Sequence, residues 1–69
     1  MTLILAGSYK DYEQALKDSN LEMKDTKFGQ RFDQIAGSLY DDIITTDSFW
    51  SLPRSSDLYD YAKKRLKQW

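Results

Sequence analysis

Residues 26–46 read "TKFGQRFDQIAGSLYDDIITT", the stretch on which the fold class rests. Phe28, Phe32, Ile35, Leu39 and Ile43 recur at spacings of 4, 3, 4 and 4. At 100° per residue they fill a sector of roughly 80°, and Ala36 and Tyr40 widen one edge of it. Lys27, Gln30, Gln34, Ser38 and Asp41 lie on the other side. This spacing predicts an amphipathic helix over about 27–44, capped by Asp25 or Thr26. Gly29 and Gly37 would each cost up to ~1 kcal/mol relative to alanine inside such a helix. They therefore call for a reason, such as the close approach of another backbone.

Upstream, "TLILA" (2–6) is apolar and β-branched enough for a short strand, ended by Gly7. Ser8 is a natural N-cap, with Asp11 three positions on, and Tyr9, Tyr12 and Leu16 share one side of a helix over about 8–19. "LEMKDT" (21–26) suits either a second short strand or an extended connection. Downstream, Pro53 disfavours a helical Leu52, and Asp47 or Ser48 can cap a single turn carrying Phe49 and Trp50. Ser55, Ser56 or Asp57 can cap a last helix over about 57–68, with Leu58, Ala62 and Leu66 inward. The expected fold is mainly α: three helices (8–19, 27–44 and 57–68) with a short N-terminal strand. A small α+β fold with a two-stranded sheet is the alternative. A lone strand is unstable, so "TLILA" should pair with 21–25, with a second copy of the chain, or with a partner's sheet edge.

Composition narrows the chemistry. Sixty-nine residues make one domain with a thin core. With no cysteine and no histidine there is no disulfide, no thiolate metal site, and none of the commonest general base or metal ligand. Net charge is −1, but it is divided: residues 25–60 hold seven aspartates against Lys27, Arg31 and Arg54, and residues 61–69 hold four cations. "MTLILAG" is too short and lacks the positive start of a signal peptide, and no run is long enough to cross a bilayer. The expectation is a cytoplasmic protein without a membrane.

Candidate sites follow from local pattern. Asp41 and Asp42 are adjacent on the expected helix and diverge, and Asp33, Asp41 and Asp47 do not match a calcium-loop spacing. The serines have no histidine to activate them, and no S-x-x-K occurs. No catalytic residue, cofactor or metal is therefore expected. "YAKKRLKQW" sets Lys63, Lys64 and Lys67 beside aromatics, a combination that can grip phosphates and stack bases. The same cations also suit the C-terminal turns of a helix, and four charges leave a small electrostatic footprint. "DSFWSLPR" (47–54) concentrates two large aromatics, an aliphatic, a proline and an arginine in an irregular segment. Such residues are enriched in binding hot spots, though closing the open end of a small core is the preferred role for Phe49 and Trp50, and both can hold at once with one ring in and one ring out. The partner-binding candidates are Tyr40, Asp41, Asp47, Phe49, Trp50, Arg54 and Trp69.

Two resemblances add to this. "LILAGSY" (3–9) resembles the opening of Rossmann-like nucleotide-sensing domains, in which a strand leads through a Gly-Ser turn into a helix able to meet an anion. No G-x-G-x-x-G is present, and the chain is short for a doubly wound sheet, so a capped helix start is preferred. Thr26, Phe28, Gly29, Gln30, Arg31 and Phe32, in the order T-x-F-G-Q-R-F, resemble a segment of short, uncharacterised proteins of tailed bacteriophages. That resemblance implies a stoichiometric binder that inhibits or redirects a host protein. The alternatives are a nucleic-acid accessory protein using the basic C-terminal segment, and a self-assembling subunit that dimerises through "TLILA".

Overall fold

The computed structural model describes residues 1–67 and corrects the mainly helical expectation: the fold is α+β. Strand β1 (Thr2–Leu5) leads to helix α1 (Tyr9–Ser19), then through a single 3-10 turn (Met23–Asp25) into β2 (Thr26–Gly29). Helix α2 (Phe32–Ile35) precedes β3 (Asp42–Thr45), and α3 (Asp47–Trp50) and α4 (Ser55–Lys63) complete the order. The three strands form one parallel sheet in the order β2-β1-β3. Thr2 to Leu5 pair residue by residue with Thr26 to Gly29 on one side and with Asp42 to Thr45 on the other. "TLILA" thus has neighbours along both edges, neither of them residues 21–25 nor a second chain.

No helix spans 27–44, because its apolar stripe divides between the two faces of the sheet. Phe28 packs beneath α1 with Ile4, Ala6, Tyr12, Ala15 and Leu16. Phe32, Ile35 and Ile43 instead join Leu3, Leu5, Tyr40, Phe49, Leu58 and Ala62 on the opposite face. Leu39, expected inward, is 54% exposed. The local chemistry agrees with the sheet. "IITT" is β-branched throughout and stiff at χ1, which suits a pleated strand. Gly37 adopts φ +88°, a conformation that L side chains rarely reach.

Strand β1 is the centre of the molecule: Leu3, Ile4, Leu5 and Ala6 are all fully buried. Its unbroken apolar run is what a parallel strand covered on both faces requires. Gly29 is explained by the same strand. A Cβ there would lie 3.0 Å from Leu5 Cδ2, 3.1 Å from Leu3 Cδ1 and 3.2 Å from Ile35 Cγ1. The close neighbours are thus side chains of the N-terminal strand and of α2, not the second backbone that a glycine in a helix would suggest.

Capping accounts for α1, and α4 begins without a side-chain cap. Ser8 Oγ accepts from Asp11 N–H at 3.3 Å, and Asn20 ends α1 in the left-handed region. Helix α4 begins after a left-handed Arg54 and stops at Lys63, short of the expected 68. Past it the chain makes a turn over 64–65, and Leu66 forms a parallel bridge with Tyr40: Tyr40 N–H donates to Arg65 O and Lys67 N–H to Tyr40 O, both at 2.8 Å. Buried hydroxyls are satisfied. Tyr40 donates to Ile35 O at 2.8 Å, while Tyr12 meets Thr26 Oγ1 at 2.7 Å and Thr26 in turn donates to Met23 O. Among the described residues, no helix is long and apolar enough to cross a membrane.

Candidate interaction surfaces

With β1 between β2 and β3, the chain leaves the carboxyl end of β1 on one side of the sheet and that of β3 on the other. In open parallel sheets such a place is where ligands bind. Here it is filled by the chain itself. Gly7 N–H donates to Ser48 Oγ at 2.9 Å, and Ser48 Oγ lies 3.1 Å from Thr46 Oγ1. Thr46 N–H donates to Leu5 O at 3.1 Å, and Gln30 Nε2 donates to Gly7 O at 2.7 Å. The fit leaves no room for a side chain at position 7, where a Cβ would stand 2.4 Å from Ser48 O. The Gly-Ser turn that could have offered its N–H to an anion therefore spends it on Ser48.

Beside this plug lies an open groove of about 460 Å³ between α1 and β3. Ala15 and Ile44 supply its apolar part, Asp11, Asp18 and Asp47 its charge, and Gln14 and Ser48 are among its polar walls. Gln14 Nε2 donates to Asp18 Oδ1 at 3.0 Å. Among the described residues, none of the three aspartates has a cation within ion-pair distance. No local feature of the sequence marks this groove, because it is made by elements about thirty positions apart.

On the other face of the sheet, α3 and α4 carry the aromatic surface. The structure separates the two rings of "DSFW": Phe49 is fully buried and Trp50 is 45% exposed. Trp50 is held edge-on to Phe49 at 5.0 Å and against Tyr59 at 5.2 Å, and Lys63 Nζ lies 5.1 Å over the Tyr59 ring. Asp47 and Arg54 are exposed. Arg54 stands 5.1 Å over Phe32 and 3.8 Å from Asp57.

Two further candidates have structural tasks. Tyr40 is fully buried, and burial pushes its hydroxyl above the ordinary tyrosine range. Asp41 is clasped by the N-terminal ammonium of Met1 and by Lys67 Nζ at 3.2 Å. These partners, the ammonium foremost, hold its carboxyl below the usual aspartate range. Trp69 lies outside the described residues. Of the basic set, Lys67 is engaged with Asp41 and Lys63 with Tyr59, and Lys64 is exposed. Among the described residues, no group of three or more acidic side chains converges to hold a metal ion. Compared with protein-family models, curated proteins and solved structures, the chain matches none.

Proposed function

We propose that this chain is a small non-catalytic interaction protein that binds a protein partner through the aromatic surface of α3 and α4. The observation that carries the proposal is the exposed indole of Trp50, braced between buried Phe49 and half-buried Tyr59. A ring already fixed in place loses little entropy on binding, and Trp, Tyr and Arg are the residues that dominate interface energies. Trp50 and Tyr59 are the anchors, with Arg54 and Lys63 as charged surroundings, while Asp47 lines the groove beside α1 instead. Tyr40 and Asp41 drop out of the binding set because their groups are engaged within the fold. The T-x-F-G-Q-R-F resemblance supplies the setting: a phage-encoded modulator acting in the host cytoplasm.

The test is affinity capture from a bacterial host lysate with wild-type protein and with Trp50→Ala. The proposal expects a stoichiometric protein that is retained by wild type and depleted at least tenfold by the variant. The variant's circular dichroism spectrum should be unchanged. Equal capture by both forms, or unfolding of Trp50→Ala, would remove Trp50 as the anchor.

A further inference from the structure

We infer that the groove between α1 and β3 is a docking site for an amphipathic helix of a partner protein, with lysine or arginine along its polar side. This groove does not include Trp50, although Asp47 and Ser48 of the same helix α3 line it, and it adds a second contact to the interaction role; it rests on that role only in assuming a protein partner. The first support is coverage. All-parallel sheets are normally shielded by helices on both faces. One face here is covered by α2, α3 and α4, whose residues pack on Leu3 and Leu5. The other has α1 alone, which sits over Ile4, Ala6 and Phe28 and leaves Ile44 only partly buried at its margin. The groove is thus the place of a second helix on that face, with Ala15 and Ile44 as its apolar floor.

The second support is charge. Asp11 and Asp18 on α1 and Asp47 at the start of α3 line the same groove, and no described cation neutralises any of them. Lys10 and Lys17, next to Asp11 and Asp18 in sequence, are not among the groove's lining residues, and Lys24 and Arg54 pair with Glu22 and Asp57. Three carboxylates without an ion-pair partner along one groove disfavour an anion and favour a cationic occupant. A strand added to β3 is the less suitable occupant, because the outer edge is already guarded. Ile43 N–H donates to the Asp42 carboxylate at 2.8 Å, and a charged residue on the edge discourages pairing. A helix needs no edge hydrogen bonds and buries its apolar side against Ala15 and Ile44.

The test uses three synthetic peptides of equal length: an amphipathic lysine–leucine helix, its glutamate–leucine counterpart, and a scrambled lysine–leucine sequence with no apolar face. Titration followed by amide chemical shifts should show saturable binding of the first alone, with shifts centred on Gln14, Ala15, Asp18, Ile44 and Thr45. Asp11→Asn/Asp18→Asn/Asp47→Asn should weaken it about tenfold, on the scale of three exposed ion pairs lost. Gln14→Lys, which places a cation in the groove from within, should do the same if the triple variant fails to fold. Trp50→Ala should leave this binding intact, so failure of the groove and failure of the aromatic surface read out separately. Equal binding of the scrambled peptide, shifts centred elsewhere, or indifference to both sets of variants would overturn the inference.

Discussion

Alanine at Gly37 and at Gly29 distinguishes the parallel sheet from a continuous helix by the sign of the effect. Inside a helix over 27–44, either change would stabilise by up to ~1 kcal/mol, since alanine is the better helix former. The structure gives the opposite sign for two different reasons. At Gly37 there is open space for a methyl group, but φ is +88°. An L residue forced toward the left-handed region costs roughly 1–2 kcal/mol, and the smaller entropy of the unfolded alanine chain only partly offsets that change. A net loss of about 1 kcal/mol should lower the thermal midpoint by about 4–8 °C in a domain of this size. At Gly29 the backbone is ordinary strand, and the cost comes from methyl contacts at 3.0, 3.1 and 3.2 Å with Leu5, Leu3 and Ile35. Overpacking of this kind costs ~1–3 kcal/mol, toward the lower end when the neighbours are flexible side-chain ends. Thermal and urea unfolding of both variants, with near-equal urea slopes to confirm a common unfolded state, measures the effect. Stabilisation by both alanines would refute the sheet.

Two other predictions concern the joint between Tyr40, Asp41 and the C-terminal segment. Tyr40→Phe removes the hydroxyl that donates to Ile35 O and leaves a buried carbonyl unpaired, a loss of about 1–3 kcal/mol by denaturant unfolding. Because burial raises the Tyr40 pKa, the unfolded chain loses its proton first as pH rises past 10.0. This group's contribution is therefore complete below that pH and declines above it, a decline that Tyr40→Phe should lack. Asp41 has the opposite sign. Its folded pKa is lowered by the Met1 ammonium and Lys67, so its contribution is present above the ordinary value of 3.8 and fades as pH falls through the folded value. Thermal midpoints of wild type and Asp41→Asn should differ near neutrality and converge in acid, whereas a constant difference would mean that the ion pair contributes nothing.

The parts of the fold legible in the sequence were those governed by neighbours along the chain. The Leu-Ile-Leu run and the Gly-Ser punctuation announced β1, and the Ser8 cap announced α1. The segment 26–46 misled because its apolar spacing happens to satisfy a helix, while the residues serve opposite faces of a sheet. Phe28 stacks on Tyr12 at 4.9 Å, and Phe32 meets Tyr61 edge-on at 5.4 Å on the other face. Gly29, Gly37 and the β-branched "IITT" are the local features that disfavour a continuous helix. The end of α4 was invisible for a different reason: the chain leaves the helix to bond Tyr40, a contact between residues 26 positions apart. At the candidate surfaces, the exposed Trp50 beside a buried Phe49 was within reach of local reasoning. Asp41 was not, because its partners are the chain's own N-terminus and Lys67.

The most direct test of the account is the pairing around Ile4, since both surfaces depend on a parallel sheet that puts α1 on one side and α3 and α4 on the other. Inter-strand proton contacts measured by nuclear magnetic resonance on the isotope-labelled protein should place the backbone of Ile4 beside both Phe28 and Ile44. Slow amide exchange should centre on Leu3, Ile4 and Leu5. Sequential helical contacts running unbroken through residues 27–44, with no cross-strand contact from Ile4, would contradict the fold and both surfaces built upon it.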